Sequence, residues 1–61
     1  MSTKDRLYKY LKRYGPVDYY TIMQHLQVRP LTLNDAIEKL SLAHKLKEVA
    51  GDGIVKLAIR E

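Results

Sequence analysis

The chain has 61 residues, 46% hydrophobic and 30% charged, and its 11 lysines and arginines outnumber its 7 aspartates and glutamates for a formal charge of +4. A length of this order supplies one small core that hides roughly 60% of the unfolded surface, and the hydrophobic content excludes an intrinsically disordered composition. Without cysteine, neither a disulfide framework nor a cysteine-ligated zinc site can staple the fold.

One domain over residues 1–61 is therefore expected. The N-terminus leads into an amphipathic run rather than an apolar one, and no apolar stretch reaches membrane-spanning length, so a cytoplasmic chain is expected. The basic balance, with a pI near 9.5, favours polyanionic partners through counterion release.

Ser2 and Asp5 carry N-cap spacing, a hydroxyl acceptor followed three residues later by a carboxylate, so a first helix is expected over about 3–14. Leu7, Leu11 and Tyr14 fall at i, i+4 and i+7 with Tyr10 beside them, while Lys4, Lys9, Lys12 and Arg13 fall on the other side. Gly15-Pro16 stops that helix. Val17 then passes through a short extended segment able to join later strands, and Asp18 caps a second helix over about 19–27, with Ile22, Met23 and Leu26 inward.

Gln27-Val28-Arg29 is short enough to force a steep crossing, with Val28 plugging the corner. Pro30, with preset φ and no amide to waste, opens a third helix over about 30–44 whose buried stripe is Leu33, Ala36, Ile37 and Leu40. Leu31 and Leu42 lie off that stripe, and partial burial against a neighbouring turn is expected for them. His44, just before the hairpin, is expected to need a left-handed C-cap conformation.

From Leu46 the period becomes two. Val55, Leu57 and Ile59 alternate with Lys56, Ala58 and Arg60, and Gly51-Asp52-Gly53 supplies turn residues, giving a hairpin over about 46–60. A three-residue loop ending in a bulge at Gly53 sets Glu48 opposite Lys56, whereas a two-residue Asp52-Gly53 turn sets Glu48 opposite Leu57. The first register is preferred because opposite charges then face each other.

Helix, short strand, helix, turn, helix and hairpin is the order of a winged helix, and the segment from Asp18 to Val55 resembles the DNA-binding head of the GntR family of bacterial repressors. Asp18 stands at that family's helix-capping serine, Ile22 and Met23 at its inward pair, and Leu26-Gln27-Val28 at its leucine-glycine-valine turn. Thr32-Leu33-Asn34-Asp35-Ala36-Ile37 parallels its recognition-helix run, and Gly51-Asp52-Gly53 falls where its wing carries glycine, any residue, glycine. The chain departs from the pattern at the DNA-contacting positions, with Arg29 at a serine, Pro30 and Asn34 at two arginines, and Asp52 at a wing tip that is often basic.

The expected fold is thus α+β, a winged helix-turn-helix of three helices with a C-terminal β-hairpin wing. The resemblance implies sequence-specific binding of double-stranded DNA, as a small transcriptional regulator acting as a homodimer on two half-sites. Arg29 suits guanine or phosphate, Thr32 a phosphate or thymine methyl, Asn34 adenine, and Asp35 the amino group of cytosine. Lys39, Lys45, Lys47 and Lys56 are the expected phosphate contacts, with the Gly51-Asp52-Gly53 wing along the backbone or minor groove. The alternative is a winged helix that binds a protein through the same face, which Asp35, Glu38 and Asp52 favour.

His25 and His44 have no acidic or cysteine partner at metal spacing, so no metal is expected. Ser2 is terminal, Ser41 lacks a base and no glycine-rich phosphate loop occurs, so neither catalysis, cofactor nor small-molecule ligand is expected. Tyr10 and Tyr14 are expected in the core with hydroxyls at its rim, leaving Tyr8, Tyr19 and Tyr20 for a dimer patch or for hydrogen bonds to phosphate.

Overall fold

The computed structural model describes residues 2–61. Three helices, α1 (Thr3–Tyr14), α2 (Tyr19–Leu26) and α3 (Pro30–Leu42), combine with three short strands, β1 (Val17–Asp18), β2 (Leu46–Gly51) and β3 (Ile54–Ile59). The strands form one antiparallel sheet in the order β1-β3-β2. The architecture is a small α+β fold.

Each helix begins and ends where local chemistry dictates. The Ser2 hydroxyl accepts the Asp5 amide at 3.2 Å, and the Asp18 carboxylate accepts both the Thr21 amide at 3.1 Å and the Thr21 hydroxyl at 2.7 Å. Gly15 closes α1 at φ 80, a conformation glycine reaches without a Cβ penalty, and Pro16 prevents continuation. α2 ends at Leu26 because Gln27 turns left-handed at φ 54, one residue before the expected end.

α3 ends at Leu42 rather than at 44. His44 adopts φ 58, its amide donates to the Ser41 carbonyl at 2.9 Å, and the Lys45 amide donates to that of Leu40 at 3.0 Å. This is a Schellman closure built on histidine, as the expected left-handed cap requires.

The core brings Leu7 and Leu11 of α1 against Ile22 and Leu26 of α2, Leu33, Ala36 and Leu40 of α3, and Ile59 of β3. Val28 packs on this cluster at the corner between α2 and α3, while Met23 and Ile37 are half-buried. Tyr14 departs from the expected core position. It is 57% exposed, because Leu7 and Leu11 alone complete α1's inward stripe.

The hairpin also corrects the preferred register. Glu48 faces Leu57 and Gly51 faces Ile54, so Asp52 and Gly53 alone make the turn, both at positive φ (52 and 77). Two positive-φ residues define a type I′ turn, whose twist matches that of the strands. An exposed Glu48–Lys56 pairing, worth at most about 1 kcal/mol, does not outweigh that match. Burial along β3 likewise breaks the expected alternation. Val55 is 51% exposed, and Ala58 is buried on the face it shares with Leu11, Gly15 and Pro16.

Candidate nucleic-acid interface

The sequence-predicted site residues all reach the surface, but the fold divides them. Arg29, Thr32, Asn34, Asp35 and Lys39 lie on the exposed side of α3's first three turns, Lys45 follows α3, Lys56 sits on β3, and Gly51, Asp52 and Gly53 form the hairpin tip.

The head of α3 is the most defined part of this surface. Pro30 occupies the first helical position, and Arg29 caps the helix without any side-chain capping hydrogen bond. Among the described residues Arg29 forms no salt bridge, so its guanidinium is available to a partner. The Tyr19 hydroxyl donates to Asn34 Oδ1 at 3.0 Å and also lies 3.4 Å from the Pro30 carbonyl. This contact spans the corner between α2 and α3 and holds Asn34 in place. Both amide hydrogens of Asn34, and one lone pair of its oxygen, stay open to a ligand.

Other predicted contacts are partly engaged. Lys39 Nζ lies 3.0 Å from Asp35 Oδ2 one helical turn away, and both side chains are more than 60% exposed. Such a pair is worth well under about 1 kcal/mol and yields readily to a stronger partner. Lys56 is paired in register with Asp18 across β1 and β3. The Asp18 carboxyl is held below the ordinary aspartate value of 3.8, chiefly by the Thr21 hydroxyl and then the Thr21 amide, with the Lys56 charge a small further contribution. Lys45 lies over the Tyr8 ring at 5.6 Å, as does Lys12.

The N-terminal end of α1 joins this surface. Lys4 shares one shallow depression with Thr32, Asp35 and Lys39, and another with Tyr8, Lys39 and Lys45. Lys4 and Lys45 therefore join Lys39 in a basic flank beside α3, whose own span Pro30–Leu42 holds one lysine against two carboxylates, with Asp5 and Asp35 lining the same depressions.

The outermost line of α3 is different in character. Leu31, Asp35, Glu38 and Leu42 recur at i, i+4, i+7 and i+11, on the side opposite Leu33, Ala36 and Leu40. Leu31 is 83% exposed and Leu42 73%, so neither finds the partial burial expected of it. The α3 stripe and the turns beside it are complete without them.

Sequence reasoning missed two things here. One is the part of Tyr19, whose contact with Asn34 depends on the crossing of two helices and leaves no periodic trace. The other is a basic and aromatic cluster on α1 and α2, signalled only weakly by Arg6, Lys9 and Arg13 at i, i+3 and i+7. Among the described residues no group of three or more histidine and acidic side chains is placed to hold a metal ion, and no helix is long and apolar enough to cross a membrane.

Fold and surface together define a small basic α+β chain of three helices and a three-stranded antiparallel sheet. No protein family, curated protein or solved structure matches it.

Proposed function

We propose that the chain is a winged helix that binds double-stranded DNA sequence-specifically through the head of α3, acting as a small transcriptional regulator and as a homodimer on paired half-sites. The observation that carries this reading is the Tyr19-held Asn34 beside Arg29, whose side chain makes no capping hydrogen bond, at the exposed start of α3. A fixed amide and a free guanidinium are the two side chains best suited to read purine edges in the major groove. In the resemblance to GntR-type heads, Gln27 stands at the glycine of that family's turn, and it takes a left-handed conformation that glycine reaches without a Cβ penalty.

Lys4, Lys39, Lys45 and Lys56 supply phosphate contacts on either side of the reading helix, and the type I′ hairpin is the wing. Titration against random duplex at two salt concentrations tests this. Four phosphate contacts per protomer give a slope of log K against log salt of about −3.6. Absence of binding at micromolar protein in low salt rules the reading out. In a selected site, Arg29→Ala and Asn34→Ala weaken binding far more than Lys12→Ala.

One observation favours a second reading, in which α3 binds a protein instead. Leu31 and Leu42 stand exposed at either end of an acidic pair, Asp35 and Glu38, a pattern that suits a partner with basic and apolar side chains. Under that reading Leu31→Asp abolishes partner capture and Arg29→Ala leaves it intact.

A further inference from the structure

Away from α3, the α1 face packed on α2 gathers three cations and three rings. Arg6, Lys9 and Arg13 recur at i, i+3 and i+7 and line one shallow depression together with Tyr10, Tyr14 and His25. The rings form a cluster. Tyr10 stacks on His25 with centroids 4.3 Å apart and planes at 26°, and Tyr14 lies 5.0 Å from Tyr10. Arg6 is anchored by a 2.8 Å hydrogen bond from Nη2 to the Leu26 carbonyl, and Arg13 lies over the Tyr14 ring at 5.6 Å.

No carboxylate lines this depression, and among the described residues none of its three cations forms a salt bridge. The positive charge there is unneutralised. Beside it stands Tyr14, 57% exposed, a large ring that the core does not need.

We propose that this face binds single-stranded nucleic acid, a base stacking on the exposed Tyr14 ring while Lys9, Arg13 and Arg6 take the neighbouring phosphates. The combination selects the ligand. Cations alone suit any polyanion, but a ring offered for stacking requires a base freed from its pair, which a duplex does not present. Tyr10 lies against Tyr14 at a 46° tilt and His25 meets the Tyr14 ring edge-on at 6.0 Å, contacts that restrict the ring before binding and reduce the side-chain entropy lost. The inference is independent of the duplex reading, because it uses no residue of α3 or the hairpin.

The test is fluorescence anisotropy of a labelled short oligothymidylate against the full chain at low salt. Micromolar binding is expected. Tyr14→Ala weakens it by about tenfold, within the range measured for losing one stacked base, and Tyr14→Phe retains it. Lys9→Glu with Arg13→Glu removes binding, while Lys12→Ala, on the same helix but outside the depression, leaves it unchanged. Tyr14 is exposed and outside the core, so circular dichroism of the alanine variant matches that of the parent.

Four results overturn the proposal. They are no binding of the oligothymidylate, equal affinity of the Tyr14→Ala and parent chains, displacement by polyglutamate with equal effect on both chains, and binding of thymidine monophosphate as tight as that of the strand. The last would assign the face to a free nucleotide.

Discussion

Gly53 isolates the conformational cost of the hairpin turn. Its φ is +77, and a Cβ built there meets nothing within 4 Å, so replacing it with alanine adds no steric clash with the rest of the fold. What remains is the price of holding an L-residue in the left-handed region, about 1–2 kcal/mol. The tip can escape part of that by fraying, since residues 50–56 are exposed and contribute no buried side chain. A net loss near 1 kcal/mol follows, which lowers Tm by about 4–8 °C in a domain of this size and the urea midpoint by about 1 M, with m unchanged. Gly51 is the control, because it also meets nothing within 4 Å yet has no positive φ. Gly51→Ala is expected to stabilise by a few tenths to about 1 kcal/mol by restricting the unfolded chain. Amide exchange in Gly53→Ala accelerates at Gly51 and Ile54, the pair that flanks the turn, while Lys47 and Ala58, a hydrogen-bonded pair farther along the ladder, stay protected. Equal effects of the two substitutions, or uniform acceleration along both strands, would refute the conformational argument.

Two further outcomes test the site. The Asp18 carboxyl sits below its ordinary 3.8 because Thr21 donates twice to its charged form, so its contribution to stability is fully present above about pH 4 and is lost as pH falls through the lowered folded value. Urea midpoints of the parent and of Asp18→Asn, compared between neutral pH and pH near 3, are expected to converge on acidification; parallel curves would remove Asp18 from the acid limb. Tyr19→Phe deletes the hydroxyl that holds Asn34 without emptying the half-buried ring site, so stability falls by no more than about 1 kcal/mol. Under the proposed reading, discrimination at the base facing Asn34 is expected to fall by about tenfold, in line with the roughly 1–3 kcal/mol that a positioned bidentate contact contributes, and unchanged discrimination would show that Asn34 needs no such support.

The helices were legible because their signals are local. Ser2, Asp18, Pro30 and Gly15-Pro16 act within one turn of chain, and each sits in the role its chemistry assigns. Leu7, Leu11, Ile22, Leu26, Leu33 and Leu40 face inward because a period of 3.6 leaves them no other common side. The hairpin was legible as a hairpin and misread in register, since the turn's twist decides pairing while charge pairing contributes little at an exposed position. Tyr14, Leu31 and Leu42 were placed too deep for a related reason. An apolar residue near a stripe is buried only if another element covers it, and these three meet solvent. Their exposure depends on tertiary placement, as does the contact between Tyr19 and Asn34.

The charge layout of α3 constrains how it meets a duplex under the proposed reading. A helix laid along the groove would bring the line from Leu31 to Leu42 inward, setting Glu38 beside phosphates and two leucines against polar base edges. The Asp35 charge is offset by Lys39, but Glu38 forms no salt bridge among the described residues. An end-on approach avoids this. It presents only the N-terminal end of the helix, with Arg29 and Thr32 in the first turn and the held Asn34 at the start of the second, together with the backbone amides left free at a helix start, which favour phosphate. The carboxylates then point away from the groove floor, and the basic flank of Lys4, Lys39 and Lys45 straddles the backbone. Glu38→Gln separates the two geometries. End-on entry leaves duplex affinity within about twofold of the parent, whereas lengthwise entry predicts a gain of about tenfold, as one unit of repulsion in a partly desolvated groove is removed.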